Sequence, residues 1–162
     1  FRSWSRSKMN PRSTNKGRFT PKNPQKYIGK ITNIFFRSSW ELRIMRFFDS
    51  NPSVLKWCSE EFSIPYRKPT DGKIHNYFPD FFVIFNEKDG SQRKMVLEIK
   101  PLKETVVLEG ARPQDKLAFI INQAKWQAAS AFCAARGIEF KVMTEVEIFG
   151  GKAPRQKRTK KK

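Results

Sequence analysis

The 162-residue chain can bury one substantial core and would divide poorly into two, and 38% hydrophobic residues with 15 Phe exclude wholesale disorder. Thirty-three Lys and Arg against 15 Asp and Glu give a formal charge of +18, which points to a polyanionic partner. Two cysteines, Cys58 and Cys133, exclude a disulfide framework, and no Cys or His cluster has zinc spacing.

The excess charge is concentrated at the ends. Residues 1–30 hold nine basic residues and residues 150–162 hold seven, with no acid in either, so the middle is close to neutral. Residues 1–26, rich in Arg, Ser, Lys, Asn and Pro, read as a basic extended arm, residues 27–149 as the folded domain, and residues 150–162 as a basic C-terminal tail. Such arms suit sequence-independent attraction to phosphates; the plainer alternative is that they aid solubility or bind RNA without specificity. Phe1, Trp4 and Phe19 in the first arm are candidates for stacking on bases. No apolar run approaches the ~18 residues of a membrane span, and the basic start lacks the apolar segment of a signal peptide. The chain is expected to be soluble, not exported, and without a membrane partner.

Order is expected to begin near Tyr27. Trp40, Ile44, Phe47 and Phe48 recur at helical spacing from Ser38, and Asn51-Pro52 ends that helix. Glu61 to Tyr66 alternates as a strand, with Pro65 placing it at an edge. A turn at 68–73 leads to two strands, about Ile74 to Phe85 and Lys94 to Pro101, joined by a loop whose Asp89-Gly90 signals an antiparallel hairpin. A second helix is predicted from Pro113 to about Arg136, with Leu117, Ile121, Ala124, Ala128, Ala131 and Ala135 facing the sheet and Gly137 as its stop. Ile138 to Met143 alternates as the last strand. The expected order is helix, three strands, helix, strand.

Asp80 is the only charge in Tyr77 to Phe85, a stretch that otherwise demands burial. A bare carboxylate there would cost several kcal/mol or shift its pKa, so it must be paired, reach the surface or bind a cation. Glu98 and Lys100 stand two apart on a strand and so share a face, with Leu97 and Ile99 on the other. That pattern alone also suits a solvated face. The hairpin, however, brings Glu98 beside the strand of Asp80, and clustered carboxylates with a Lys are fittings for a divalent-metal phosphodiesterase. Glu41 fits N3 of a capping box on Ser38, which accounts for it without any ligand. His75 reads as a polar contact or phosphate ligand more than a base; Gln123, Lys125 and Gln127 face the site, DNA or solvent.

Over residues 27–149 these pieces resemble the PD-(D/E)xK nucleases. Phe36-Arg37-Ser38-Ser39-Trp40-Glu41, the run from Asp71 to Asp80, and Glu98-Ile99-Lys100-Pro101 are similar to the head-completion nucleases of T-even-like tailed phages, themselves similar to the nuclease subunit of Tn7-type transposases. The resemblance implies an α/β, restriction-endonuclease-like αβββαβ core with a central mixed sheet flanked by helices. It implies that Glu41, Asp80 and Glu98 help bind metal and that Lys100 assists the attacking water; the expected ion is Mg²⁺, for which Mn²⁺ can substitute, held by Asp80 and Glu98 with the backbone carbonyl of Ile99. The expected substrate is DNA, held largely by the arms, with phage portal, neck or capsid proteins as partners, in the host cytoplasm during assembly or in the virion. Two alternatives stand beside it: a noncatalytic DNA-binding or head-plugging protein on the same fold, and a transposase-type end cutter.

Overall fold

A computed structural model describes residues 15–150. Eight strands and three α-helices follow in chain order: β1 (Gly17–Arg18), β2 (Phe35–Phe36), α1 (Ser39–Ser50), β3 (Val54–Ser59), β4 (Ile64–Arg67), β5 (Ile74–Tyr77), β6 (Phe81–Asn86), β7 (Gln92–Ile99), α2 (Pro113–Ala134), β8 (Glu139–Met143) and α3 (Glu145–Phe149). The central sheet has the order β3-β6-β7-β8. β6 is antiparallel to β3 and β7, while β8 runs parallel to β7, as expected when a long helix provides the crossover. β4 and β5 form a separate antiparallel hairpin inserted between β3 and β6.

Alternation along β7 divides the core into two layers. Met95, Leu97 and Ile99 join a cluster with Ile44, Met45 and Phe48 of α1, with Trp57 of β3 and with Phe81 and Val83 of β6. Val96, on the opposite face, joins Ala129 and Cys133 of α2 and Ile64, Tyr66 and Tyr77 of the hairpin. The α/β expectation, a mixed sheet with helices on both faces, agrees with this architecture.

The structure corrects several details. Val54–Ser59, not Glu61 to Tyr66, supplies the first strand of the central sheet; a register shift between Val54 and Lys56 breaks its alternation, which hid it. Ile74 to Phe85 is two strands, because Phe78-Pro79-Asp80 leaves one ladder before the chain joins the other. On α2, Leu117, Ala131 and Ala135 are exposed, and Ala129 and Cys133 take the buried stripe instead. Ordered structure also starts earlier than Tyr27: Gly17 and Arg18 pair with Phe36 and Phe35, and Phe19 is buried edge-on against Trp57. Phe19 is therefore a core residue and not a base-stacking one. Phe1, Trp4 and nearly all of the C-terminal tail lie outside the described residues.

Candidate active site

The site is built at one end of the central sheet, where β3 ends, β6 begins and β7 ends. Register pairs Phe81 with Leu97, so Asp80, one step beyond that pair, faces Glu98. The hairpin thus brings the two acids together as the spacing predicted. The Ile99 N–H donates to Asp80 Oδ2 at 2.7 Å, and the Tyr77 hydroxyl donates to Glu98 Oε2 at 2.6 Å. Asp80 Oδ1 accepts no hydrogen bond from the described residues, and no cation among them forms an ion pair with either carboxylate.

Electrostatics follow from that arrangement. Asp80 keeps some exposed surface as a residue, but protein encloses its carboxyl. That desolvation pushes the acid well above its ordinary range, the Glu98 charge pushes it further, and Glu41 and Glu60 add to the effect, against the Ile99 N–H. Glu98 is also raised by burial, against the pull of the Tyr77 hydroxyl, the Lys100 charge, the Asp80 N–H and Lys125. Two desolvated acids that repel each other are an unfavourable arrangement in isolation, and a shared cation relieves it.

Glu41 does close the helix start. Ser38 Oγ accepts from the Glu41 N–H at 3.2 Å, while Glu41 Oε2 accepts from the Arg37 N–H at 2.9 Å and Oε1 lies 3.3 Å from the Ser38 hydroxyl. Glu41 is 8% exposed as a residue and its charge is felt by Asp80 and Glu60, so the capping geometry and nearness to the acidic cluster coexist. Lys100 follows β7, its N–H bonded to the Met143 carbonyl, and its charge acts on Glu98. His75 is engaged within its own hairpin, with Nε2 2.7 Å from Asp71 Oδ2, in keeping with a polar contact.

Glu60 and Tyr77 near the acids escaped the sequence reading, and the sequence leaves Lys125 open between site, DNA and solvent. Glu60, at the end of β3, has φ of 53°, an uncommon left-handed conformation for a residue with a side chain; its N–H bonds the Asp80 carbonyl and its carboxylate pairs with Arg37 at 3.0 Å. Tyr77 orients Glu98. Lys125, on α2, lies over the Tyr66 and Tyr77 rings at 5.8 and 5.7 Å. Glu60 could not be found because its strand was missed, and Tyr77 read simply as core.

The donor set suits a hard divalent cation, since it consists of carboxylate oxygens with few competing donors. Among the described residues, no three His, Cys, Asp or Glu side chains already converge in ligand geometry. Asp80 and Glu98 are the pair that fits; Glu41 would have to turn from the Arg37 N–H to join them.

A mixed sheet between helices, with acids from adjacent strands and a lysine gathered at one end, defines a restriction-endonuclease-like domain. Residues 51–145 match the model of the TnsA-like endonuclease N-terminal domain. The chain is also 34% identical over 139 residues to the head completion nuclease of Enterobacteria phage T4, an alignment covering 80% of this chain and 90% of that one. The chain belongs to the TnsA-like endonuclease family. Asp80, Glu98, Lys100 and Lys125 lie inside the matched segment, whereas Glu41 precedes it.

Proposed function

We propose that this protein is a metal-dependent DNA endonuclease that processes phage DNA ends during head completion, after packaging. The observation that carries the reading is the pairing of Asp80 with Glu98, desolvated acids held face to face with no ion-pair partner among the described residues, beside Lys100. In this mechanism Asp80 and Glu98, with the Ile99 carbonyl and a reoriented Glu41, would hold Mg²⁺ or Mn²⁺. The ion, when bound, supplies Lewis acidity toward a scissile phosphate oxygen and lowers the pKa of a water. Lys100 orients the attacking water and offsets the charge that builds on the phosphate. Tyr77 keeps Glu98 turned toward the site, and the Ile99 N–H fixes one Asp80 oxygen so that the other stays available. Head completion as the setting rests on the similarity to the phage nuclease, and the basic arms suit DNA together with portal, neck or capsid proteins.

Supercoiled plasmid incubated with the full chain in Mg²⁺ or Mn²⁺ tests the proposal. Nicking or linearisation is expected from the parent and not from Asp80→Asn, and chelator should abolish it. Equal cutting by parent and variant would remove Asp80 from the mechanism.

A further inference from the structure

Apart from Tyr77, the β4–β5 hairpin has no task in the chemistry above. Ile64, Tyr66 and Tyr77 anchor its inner face on α2, while its outer turn carries Arg67, Lys68 and Lys73 against one acid, Asp71. Asp71 is occupied locally, accepting from the Lys73 N–H at 2.9 Å and bonding His75 at 2.7 Å. The Arg67 guanidinium is tied only to the Gly72 carbonyl, which leaves its charge uncompensated among the described residues.

Lys125 connects this turn to the site. Its ammonium lies 5.8 Å from the Tyr66 ring, two residues before Lys68, and 5.7 Å from the Tyr77 ring, whose hydroxyl donates to Glu98, and it feels the charges of Glu98, Lys100 and Lys68. Lys68, Lys73, Lys100 and Lys125 form no ion pair with any described residue. Four lysines against Glu98 and Asp71 leave an excess of positive charge, and a polyanion laid across them would relieve their repulsion. Two large apolar side chains of the adjoining segment are open to solvent: Ile74 is 59% exposed and Phe78 is 53% exposed, the latter directly before Pro79-Asp80. Solvent exposure of a Phe so close to a proposed cleavage point suits packing on a base or sugar.

We propose that the hairpin and the adjoining face of α2 form the substrate track of the enzyme, with the nucleic-acid backbone running from the site along Lys100, Lys125, Lys68 and Lys73 and the Phe78 ring packing on a nucleotide beside the scissile phosphate. This inference rests on the nuclease reading for its direction, but its charge pattern is independent of any metal. It also gives the folded domain a share in binding that the sequence assigned to the arms.

The test compares two double substitutions in the full chain, Lys68→Gln with Lys73→Gln, and Lys88→Gln with Lys94→Gln. The second pair is exposed at the opposite end of the β6–β7 hairpin and removes the same charge. The turn at 68–73 is held by backbone bonds, Lys68 N–H to Lys73 carbonyl and Gly72 N–H to Lys68 carbonyl, so the substitutions leave it intact. Affinity for a labelled DNA duplex is measured in chelator across a salt series. The track predicts that the first pair lowers the magnitude of the log-log salt slope by ~0.9 for each phosphate no longer neutralised, while the second leaves it at the parent value. Phe78→Ala should lower affinity about tenfold with no change in slope. Equal slopes for the two pairs would overturn the track, and since both carry identical arms, arm binding cancels. A parent that binds with the predicted difference yet cuts nothing in Mg²⁺ or Mn²⁺ would sink the nuclease mechanism and leave the track standing.

Discussion

Asp49, on α1, and Asp80, between β5 and β6, both have carboxyls enclosed by protein, and the fold surrounds them in opposite ways. Asp49, 4% exposed near the helix C-terminus, accepts the Lys22 and Asn23 N–H groups at 2.9 Å each, while the Asn23 side chain returns a bond to the Asp49 carbonyl at 2.8 Å. It staples residues 22–23 to the core. Asp80, near enough to the helix start to feel Glu41, has one backbone donor for its carboxyl and three acids acting against it. Desolvation alone therefore does not mark a site; what distinguishes the two is whether the fold supplies enough donors for the charge it encloses.

The largest expected effect separates them outright. Loss of the Asp80 charge should lower plasmid cleavage roughly 10³-fold, taking about 4 kcal/mol as the transition-state share of a metal site at 1.36 kcal/mol per decade. Its stability in chelator should stay level or rise, because Asn relieves repulsion from Glu98, Glu41 and Glu60. Asp49→Asn should do the reverse, costing on the order of 1–3 kcal/mol by stranding a backbone donor, with specific activity retained by the folded fraction. Melting and nicking on the same preparations check both; an Asp80→Asn protein that melts far earlier would make Asp80 a structural anchor like Asp49.

A pH series sharpens the same contrast. Asp80 and Glu98 have folded-state pKa values above their ordinary ones, so they bind protons in the folded state that the unfolded chain has released. Their contribution is most favourable below the unfolded carboxyl range and is lost as pH rises through the raised values, with Lys100, Lys125 and the Tyr77 hydroxyl moderating Glu98. In chelator the parent should therefore lose stability over that rise, and Asp80→Asn should lose less. Parallel melting curves for the two proteins would show that the acids do not repel as the geometry requires.

How much of this was legible depends on whether the signal was local. Glu98 and Lys100 could be placed on one face from period two alone, and Asp89-Gly90 set the hairpin that opposes Glu98 to Asp80. Val54–Ser59 was illegible because the bulge at Val54/Lys56 breaks the alternation on which strand reading depends. Phe19 looked like arm because Arg18, Thr20 and Pro21 surround it; its burial against Trp57 is a long-range interaction that no window contains. Lys125 fell on a helix face whose rotation depended on Cys133 and Ala129, small residues that carry little hydrophobic period, so its approach to Tyr77 emerged only from packing.

Glu41 lies between the two aspartates in character, satisfied by the Arg37 N–H and yet close to the acids. Gln retains a carbonyl oxygen for the Arg37 N–H, so Glu41→Gln should melt within about 0.5 kcal/mol of the parent, the span of ordinary surface changes. Cleavage should drop about 10- to 100-fold, the range for losing a group that tunes a metal site. A destabilised but fully active variant would leave Glu41 as a cap alone.

The smallest effect is expected at Tyr77, and it tests whether Glu98 is held for the site or merely accommodated. The hydroxyl donates to Glu98 Oε2 at 2.6 Å, and both residues are buried. If the bond is only structural, Tyr77→Phe removes one partner of a buried pair, costs on the order of 1–3 kcal/mol, and leaves the metal requirement unchanged. If the bond aims Glu98 at a shared cation, its loss frees the carboxylate to rotate, and the Mg²⁺ concentration for half-maximal cutting should rise several-fold while the rate at saturating Mg²⁺ changes little. The pH series adds a second readout. Tyr77 lowers the Glu98 pKa by donating to the charged form, so without it Glu98 should hold its proton to higher pH, and cleavage at low Mg²⁺ should fall off sooner on acidification than in the parent. Unshifted metal and pH dependences, with a lower melting temperature, would place Tyr77 with Asn23 and Asp49, as a group that serves the fold and not the chemistry.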